Sequence, residues 1–131
     1  MDKQVVPLSN MREIIHYAFD HARRAKDLSF ENGERGEFAA IGEAACAYAD
    51  FRALWLYTKL NSEYDRPEVD DLMKKSEIFQ RELSTNVATN HSHQWTDIEY
   101  GSLVKSGSHV ADLLLIDDLF TQKEVSNYLS D

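Results

Sequence analysis

Several residue types that define common protein classes are rare in this 131-residue chain. It has a single cysteine, Cys46, so no intramolecular disulfide and no multi-cysteine zinc site can form. The aliphatic residues at positions 113–116 are far too few to span a membrane, and the first eleven residues lack the apolar stretch of a secretory signal. These absences predict a cytoplasmic protein that does not enter a membrane.

Basic residues are also scarce, because 14 lysines and arginines stand against 23 aspartates and glutamates, for a formal net charge of −9. The imbalance is strong from Asp97 to the C-terminus, where seven acids accompany two lysines. Such a surface repels the phosphates of nucleic acid and attracts positively charged proteins. The charge therefore predicts a basic protein partner and no nucleic acid.

Proline and glycine are few, with two and five residues, and long stretches with helical periodicity lie between them. The first stretch has its apolar residues on one helical face, with Asn10 as the expected cap. The second, residues 37–60, has no proline and no glycine after Gly42 and is rich in alanine and aromatic residues. The third begins at Asp65, with Pro67 just inside the helix.

The last third of the chain divides into shorter segments. Thr96 has the spacing of a capping box with the acid three residues later, and it predicts a short helix that stops at Gly107. Residues 98–104 alternate enough that a short strand remains open there. An acidic amphipathic helix over residues 109–120 and a last short helix capped by Thr121 follow.

These segments together predict an all-α fold, a compact bundle of about five to six helices with one long central helix at about 37–60. Hydrophobic residues make up 43% of the chain and charged residues 28%, which is ordinary globular composition. We find no linker or internal repeat, so the prediction is a single helical domain covering residues 1–131.

One group of side chains on the first helix could carry chemistry. Glu13, His16 and Asp20 project from one side of that helix, a spacing that can hold a metal ion. The Glu-x-x-His pair also occurs in di-iron carboxylate bundles, but those sites need a second copy on another helix, and this sequence has none. We interpret the three residues as an exposed polar face with a capping glutamate.

Glu43 and Asp50 lie seven residues apart on a largely apolar stripe of the long helix, where a carboxylate requires a partner. That partner can be an arginine across a helix interface, or a magnesium ion with a nucleotide phosphate. Helical nucleotide pyrophosphohydrolases use acids three residues apart, and here Ala47 stands three residues before Asp50. A metal-dependent nucleotide hydrolase or nucleotide-binding protein, with the first-helix group facing Glu43 and Asp50, is the enzymatic alternative.

The sequence has no complete catalytic constellation, no glycine-rich phosphate loop and no redox pair of cysteines. We therefore expect no cofactor and favour a non-enzymatic protein that masks a basic site on its partner, as immunity proteins and phage anti-defence inhibitors do. The predicted contact residues, aromatic anchors and acids, are Trp95, Glu99, Tyr100, Asp112, Asp117 and Asp118. A homo-oligomeric assembly subunit, joined through the long helix, is a further alternative.

Overall fold

The computed structural model describes residues 6–30, 34–89 and 94–130, and at positions 34, 35, 89, 94 and 95 it describes the backbone alone. The helices are α1 (Leu8–Ser29), α2 (Glu34–Lys59), α3 (Pro67–Thr89), α4 (Gln94–Leu113) and the short α5 (Gln122–Glu124), which continues into a π-helical turn (Val125–Leu129). Within these ranges the chain has no strand, so the predicted all-α bundle is confirmed. Residues 98–104 belong to α4 and are helical.

Each long helix packs against the next one in the chain, and α4 also contacts α1 and the π-helical turn. The core fills the space between them with apolar side chains from all four long helices. Phe19 of α1 lies at its centre, with its ring edge-on to Phe51 of α2 at 5.0 Å and to Phe120 near the C-terminus at 4.9 Å between ring centroids. This single aromatic cluster joins the first helix to the last segment of the chain.

The helix α4 runs through Gly107 and ends at Leu113, although the sequence predicts that one helix stops at Gly107 and that another covers residues 109–120. This prediction is wrong because the glycine serves packing. A Cβ atom at position 107 would lie 2.3 Å from Cζ of Phe19, so only glycine lets the two helices approach this closely. The Ser108 hydroxyl donates to the carbonyl oxygen of Lys105, 2.7 Å away, within the same helix.

The first helix also begins earlier than expected, at Leu8, with Pro7 before it and no side chain capping its start. Asn10 therefore lies in the first turn, and its predicted capping role is wrong. The capping box at the C-terminal end forms as predicted, because the Thr121 hydroxyl accepts from the amide of Glu124 while the Glu124 carboxylate accepts from the amide of Thr121.

The longest helix is α2, with 26 residues, and it buries only one of its faces. Ala40, Ala44, Ala47, Phe51 and Leu54 are nearly inaccessible and pack into the core. The opposite face is exposed, so the predicted long helix is present but lies at the surface of the bundle. Among the described residues, none of the helices combines the length and apolar composition that a membrane-spanning segment needs.

Candidate functional site

The two carboxylates predicted on the long helix converge on a histidine of α1. Oε2 of Glu43 lies 2.5 Å from Nδ1 of His21, and Oδ2 of Asp50 lies 3.8 Å from Nε2 of the same ring. Arg24 adds a second cation, with its Nε 3.4 Å from the Glu43 carboxylate. One imidazole therefore bridges two acids across the α1–α2 interface, and an arginine accompanies the closer acid.

The two carboxylates differ in their electrostatic surroundings. The hydrogen bond with His21 lowers the pKa of Glu43, against the opposing effect of its burial. Burial raises the pKa of Asp50, and the charge of His21 offsets this only in part. The carboxylate of Glu43 therefore has closer partners than that of Asp50, and these partners are His21 and Arg24 of α1. This agrees with the alternative in which a carboxylate of the long helix pairs across a helix interface.

The group predicted to face these carboxylates lies elsewhere. Glu13 accepts from the Tyr17 hydroxyl at 3.2 Å, and Asp20 pairs with Nη1 of Arg23 at 2.9 Å, both within α1. His16 lies 3.4 Å from the carboxylate of Asp118 near the opposite end of the chain. In the part of the chain that the structure describes, no three such side chains are placed to hold a metal ion. The hydrolase alternative therefore lacks the facing ligands that the sequence predicted for it, Glu13, His16 and Asp20.

A second charged cluster fastens the C-terminal segment to the bundle. Nε and Nη2 of Arg23 donate to the two carboxylate oxygens of Glu124 at 2.9 and 2.8 Å, and the Tyr100 hydroxyl donates to the same carboxylate. Burial alone would raise the pKa of Glu124, but the hydrogen bonds from Arg23, Tyr100 and the Thr121 amide outweigh it and lower the pKa to about 2. We call Arg23, Tyr100 and Glu124 the C-terminal clasp.

This clasp corrects one predicted contact residue. Tyr100 is fully buried, its ring packs edge-on against Tyr128 at 5.6 Å, and Lys26 lies 4.8 Å above its face. It cannot anchor a partner, because its aromatic ring and its hydroxyl are both used inside the fold. Sequence reasoning predicted the capping role of Glu124 but missed its buried pairing with Arg23.

The other predicted acids, Asp112, Asp117 and Asp118, lie around the C-terminal end of α4, which has an unusual conformation. The amide of Ile116 donates to the carbonyl of Ala111 at 2.8 Å, and the amide of Leu115 donates to that of Asp112 at 3.2 Å. These two bonds form a Schellman motif, whose left-handed position is commonly glycine. Here Leu115 occupies it, with φ 59°, and 75% of its surface is exposed. A leucine held in this conformation is strained by roughly 1–2 kcal/mol.

The surroundings of Leu115 combine negative charge with an apolar depression. Asp112, Asp117 and Asp118 are all exposed, and they lie within three residues of it along the chain. A groove of about 180 Å³ opens beside them, with Asp112 and Asp117 among its lining residues. Its apolar lining consists of Ala111, Ile116, Leu119, Phe120, Val125 and Leu129. We call Leu115, these three acids and this groove the C-terminal face.

Neighbouring contacts hold the C-terminal face in place. Nε of Arg12 donates to the carbonyl oxygen of Leu114 at 2.8 Å, which satisfies a backbone group at the end of α4. The Asp118 carboxylate, which lies 3.4 Å from Nε2 of His16, connects the same loop to α1. The strained leucine is therefore fixed from α1 as well as by the two backbone bonds of its own turn.

The predicted contact residues do not form one surface. Glu99 is partly exposed near the start of α4, and Asp112 lies thirteen residues later near its end, about 20 Å away along the helix axis. Trp95 is in the first turn of α4, and its side chain lies outside the described residues. Only Asp112, Asp117 and Asp118 lie together, and sequence reasoning missed Leu115 between them.

Comparison of the chain with protein-family models, with curated proteins and with solved structures found no match. The interpretation of the C-terminal face accordingly depends on its own geometry and charge.

Proposed function

We propose that this protein is a non-enzymatic binding protein that masks a basic site on a partner protein through its C-terminal face. The observation that carries the proposal is Leu115, a large apolar side chain held exposed in a left-handed conformation that glycine would adopt without strain. Backbone strain of this kind persists where the surrounding structure imposes it, and it concentrates at functional sites.

The chemistry of the C-terminal face indicates what the partner presents. Asp112, Asp117 and Asp118 attract lysine or arginine, and because all three are exposed they give a partner's cations an electrostatic preference for this face. The groove accepts about one apolar side chain, since its volume is about 180 Å³. The matching ligand is a basic, amphipathic segment with an apolar residue beside its cations, and a pocket or cleft for Leu115.

Masking is the mode of action that agrees with these features. The bound acids would cover the partner's cationic side chains, as in inhibitors of the immunity or anti-defence type, and a cytoplasmic location would suit this role. The C-terminal clasp supports the same interpretation. The carboxylate of Glu124 is paired inside the fold and holds residues 119–129 in place, whereas Asp112, Asp117 and Asp118 stay at the surface.

A site-specific cross-link tests the proposal in living cells. A photoreactive amino acid replaces Leu115 in one variant and Glu77, an exposed residue of α3, in a matched control. We expect one basic protein to be captured from position 115 and not from position 77. Equal patterns from the two positions would contradict the assignment of the C-terminal face.

The captured protein then permits a quantitative test with purified components. We expect Asp117→Asn with Asp118→Asn to weaken its binding about tenfold, and added salt to reduce the difference between this variant and the native protein. The matched control is Glu63→Gln with Glu77→Gln, which removes the same charge from two exposed positions outside this face. Equal loss in both double variants would show that net charge alone, and not this face, determines binding.

A further inference from the structure

The outer face of α2 is mostly apolar in the part of the helix that the structure describes. Nine described residues of this helix are exposed, and only Arg52 and Lys59 among them are charged. The other seven are Phe38, Ala39, Gly42, Ala45, Cys46, Ala49 and Leu56. Phe38 is 64% exposed and Leu56 46%, and Leu60, directly after the helix, is 57% exposed. We call these residues the α2 outer face.

A helix that is apolar on both sides is normally buried on both sides. The inner face of α2 packs into the core, whereas none of the residues that the structure describes covers its outer face. Contiguous exposed apolar surface of this extent marks an interaction site in soluble proteins. We infer that a second copy of this chain covers the α2 outer face, in an antiparallel, two-fold symmetric helix pair.

The order of side-chain sizes along this face favours a second copy over an unrelated partner. A two-fold contact requires that residue i of one copy meets residue j of the other and the reverse. About a midpoint at residue 47, Ala45 corresponds to Ala49 and Phe38 corresponds to Leu56. Small residues therefore meet where the helix axes approach, and large ones fill the space towards both ends.

The side chain of Arg52, which is charged, also has space in such a helix pair. Arg52 corresponds to Gly42 about the same midpoint, and no atom lies within 4 Å of the position that a Cβ would take at Gly42. The long side chain of Arg52 in one copy can therefore lie over Gly42 of the other. Its aliphatic part would cover apolar surface while its guanidinium group reaches solvent.

The distribution of charge also favours a second copy as the partner of the α2 outer face. Each copy carries a net charge of −9, so two copies repel each other through most of their surfaces. The described residues of the α2 outer face include no exposed acid, and both of its charged residues are basic. This face is thus one through which two highly acidic molecules can meet with little electrostatic penalty.

The size of the face sets the strength of the contact. A helix of 26 residues is about 39 Å long and about 10 Å wide, so two copies would bury on the order of 800–1,000 Å² in total. This area lies at the lower end of specific interfaces, where association is weak and reversible. We therefore expect a dimer with a dissociation constant in the micromolar range.

Sedimentation equilibrium tests the inference on the full chain, from about 1 μM to about 1 mM, the range that brackets such an affinity. The native protein should change from monomer to dimer, and Ala45→Glu should weaken dimerisation at least tenfold, because two glutamates would then lie near the symmetry axis. Ala88→Glu is the matched control, since Ala88 is an exposed alanine of α3 and the change in charge is identical. Circular dichroism checks that both variants remain folded, and Ala49→Glu replaces Ala45→Glu if the latter does not.

The single cysteine gives an independent measurement. Cys46 is exposed and adjacent to Ala45, so a short bis-maleimide should join two native copies into one covalent dimer, and much less of it should form in the variant with the central glutamate. A native protein that stays monomeric throughout the range would overturn the inference. So would a dimer that Ala45→Glu and Ala88→Glu weaken equally, because its contact would then lie on another face.

Discussion

Exposed apolar side chains lie on both proposed contact faces, and the surrounding charge differs between the two faces. On the α2 outer face, Phe38 and Leu56 lie among small residues with no exposed acid among the described positions. On the C-terminal face, Leu115 lies among three exposed aspartates. The comparison indicates that the charge around an apolar contact determines its partner: a neutral surface suits a second acidic copy, and an acidic one suits a basic protein.

The helix α3 supplies the reference for a helix surface on which most exposed side chains are charged. It also has nine exposed described residues, and six of them are charged: Glu68, Asp70, Asp71, Lys74, Glu77 and Arg81. Its buried face resembles that of α2, with Leu72, Phe79 and Leu83 in the core. The two helices are therefore alike inside the bundle and differ at the surface, which is why we assign a partner to one of them.

The largest expected effect is on stability, and it concerns the C-terminal clasp that holds the segment of the C-terminal face. Glu124→Gln leaves Arg23 without its carboxylate, and we expect a loss of about 3 kcal/mol in the free energy of unfolding at neutral pH. Because folding lowers the pKa of Glu124 to about 2, this contribution is present above its unfolded pKa of about 4.5 and disappears as the pH falls from about 4.5 to about 2. Urea unfolding across this pH range measures it.

The exposed acid Glu77 provides the control for that experiment. Glu77→Gln should change stability by less than about 0.5 kcal/mol at every pH, as is usual for solvated surface charges. A difference between native protein and Glu124→Gln that stayed constant down to about pH 2 would show that the carboxylate charge is not what stabilises the clasp.

Salt should act in opposite directions on the two contacts. Screening weakens the attraction between the three aspartates and a basic partner, and we expect a loss of roughly tenfold in affinity between about 50 mM and about 500 mM salt. The same screening reduces repulsion between two copies that each carry −9, so dimerisation should strengthen or stay constant. Isothermal titration of the partner and sedimentation of the protein alone give the two trends, and parallel trends would remove the distinction between the faces.

The smallest effect concerns Gly42, at the middle of the α2 outer face. Gly42→Ala should stabilise the monomer by about 0.5–1 kcal/mol, since alanine is the better helix former and a Cβ there meets no atom within 4 Å. Thermal unfolding at concentrations below dimerisation measures this gain. Destabilisation would contradict the open space that the structure has over Gly42.

Helical periodicity sufficed to predict α1, α2 and α3, because the spacing of apolar residues is a local property of the chain. It failed at Gly107, where the reason for glycine is the ring of Phe19 on another helix. It failed again at Tyr100, whose partner Glu124 lies 24 residues away. Both residues are determined by tertiary contacts, and no local pattern contains that information.

The same difference between local sequence patterns and tertiary contacts applies to the candidate sites. Pairing of Glu43 with an arginine across a helix interface was one of the two alternatives left open by the sequence, and the structure adds His21 to Arg24 as a partner. The acids of the C-terminal face were predicted from composition. Leu115 was not, since glycine is the residue that normally signals a left-handed helix end, and only the backbone bonds from Leu115 and Ile116 show that one is present.

The central claim is that Leu115 is kept in a strained conformation for binding, and Leu115→Gly tests it most directly. Glycine relieves the strain and removes the exposed side chain, so the account predicts a free energy of unfolding about 1 kcal/mol higher, together with at least tenfold weaker binding of the captured partner. A variant that is equally stable or less stable, or that binds the partner as tightly as the native protein, would contradict it.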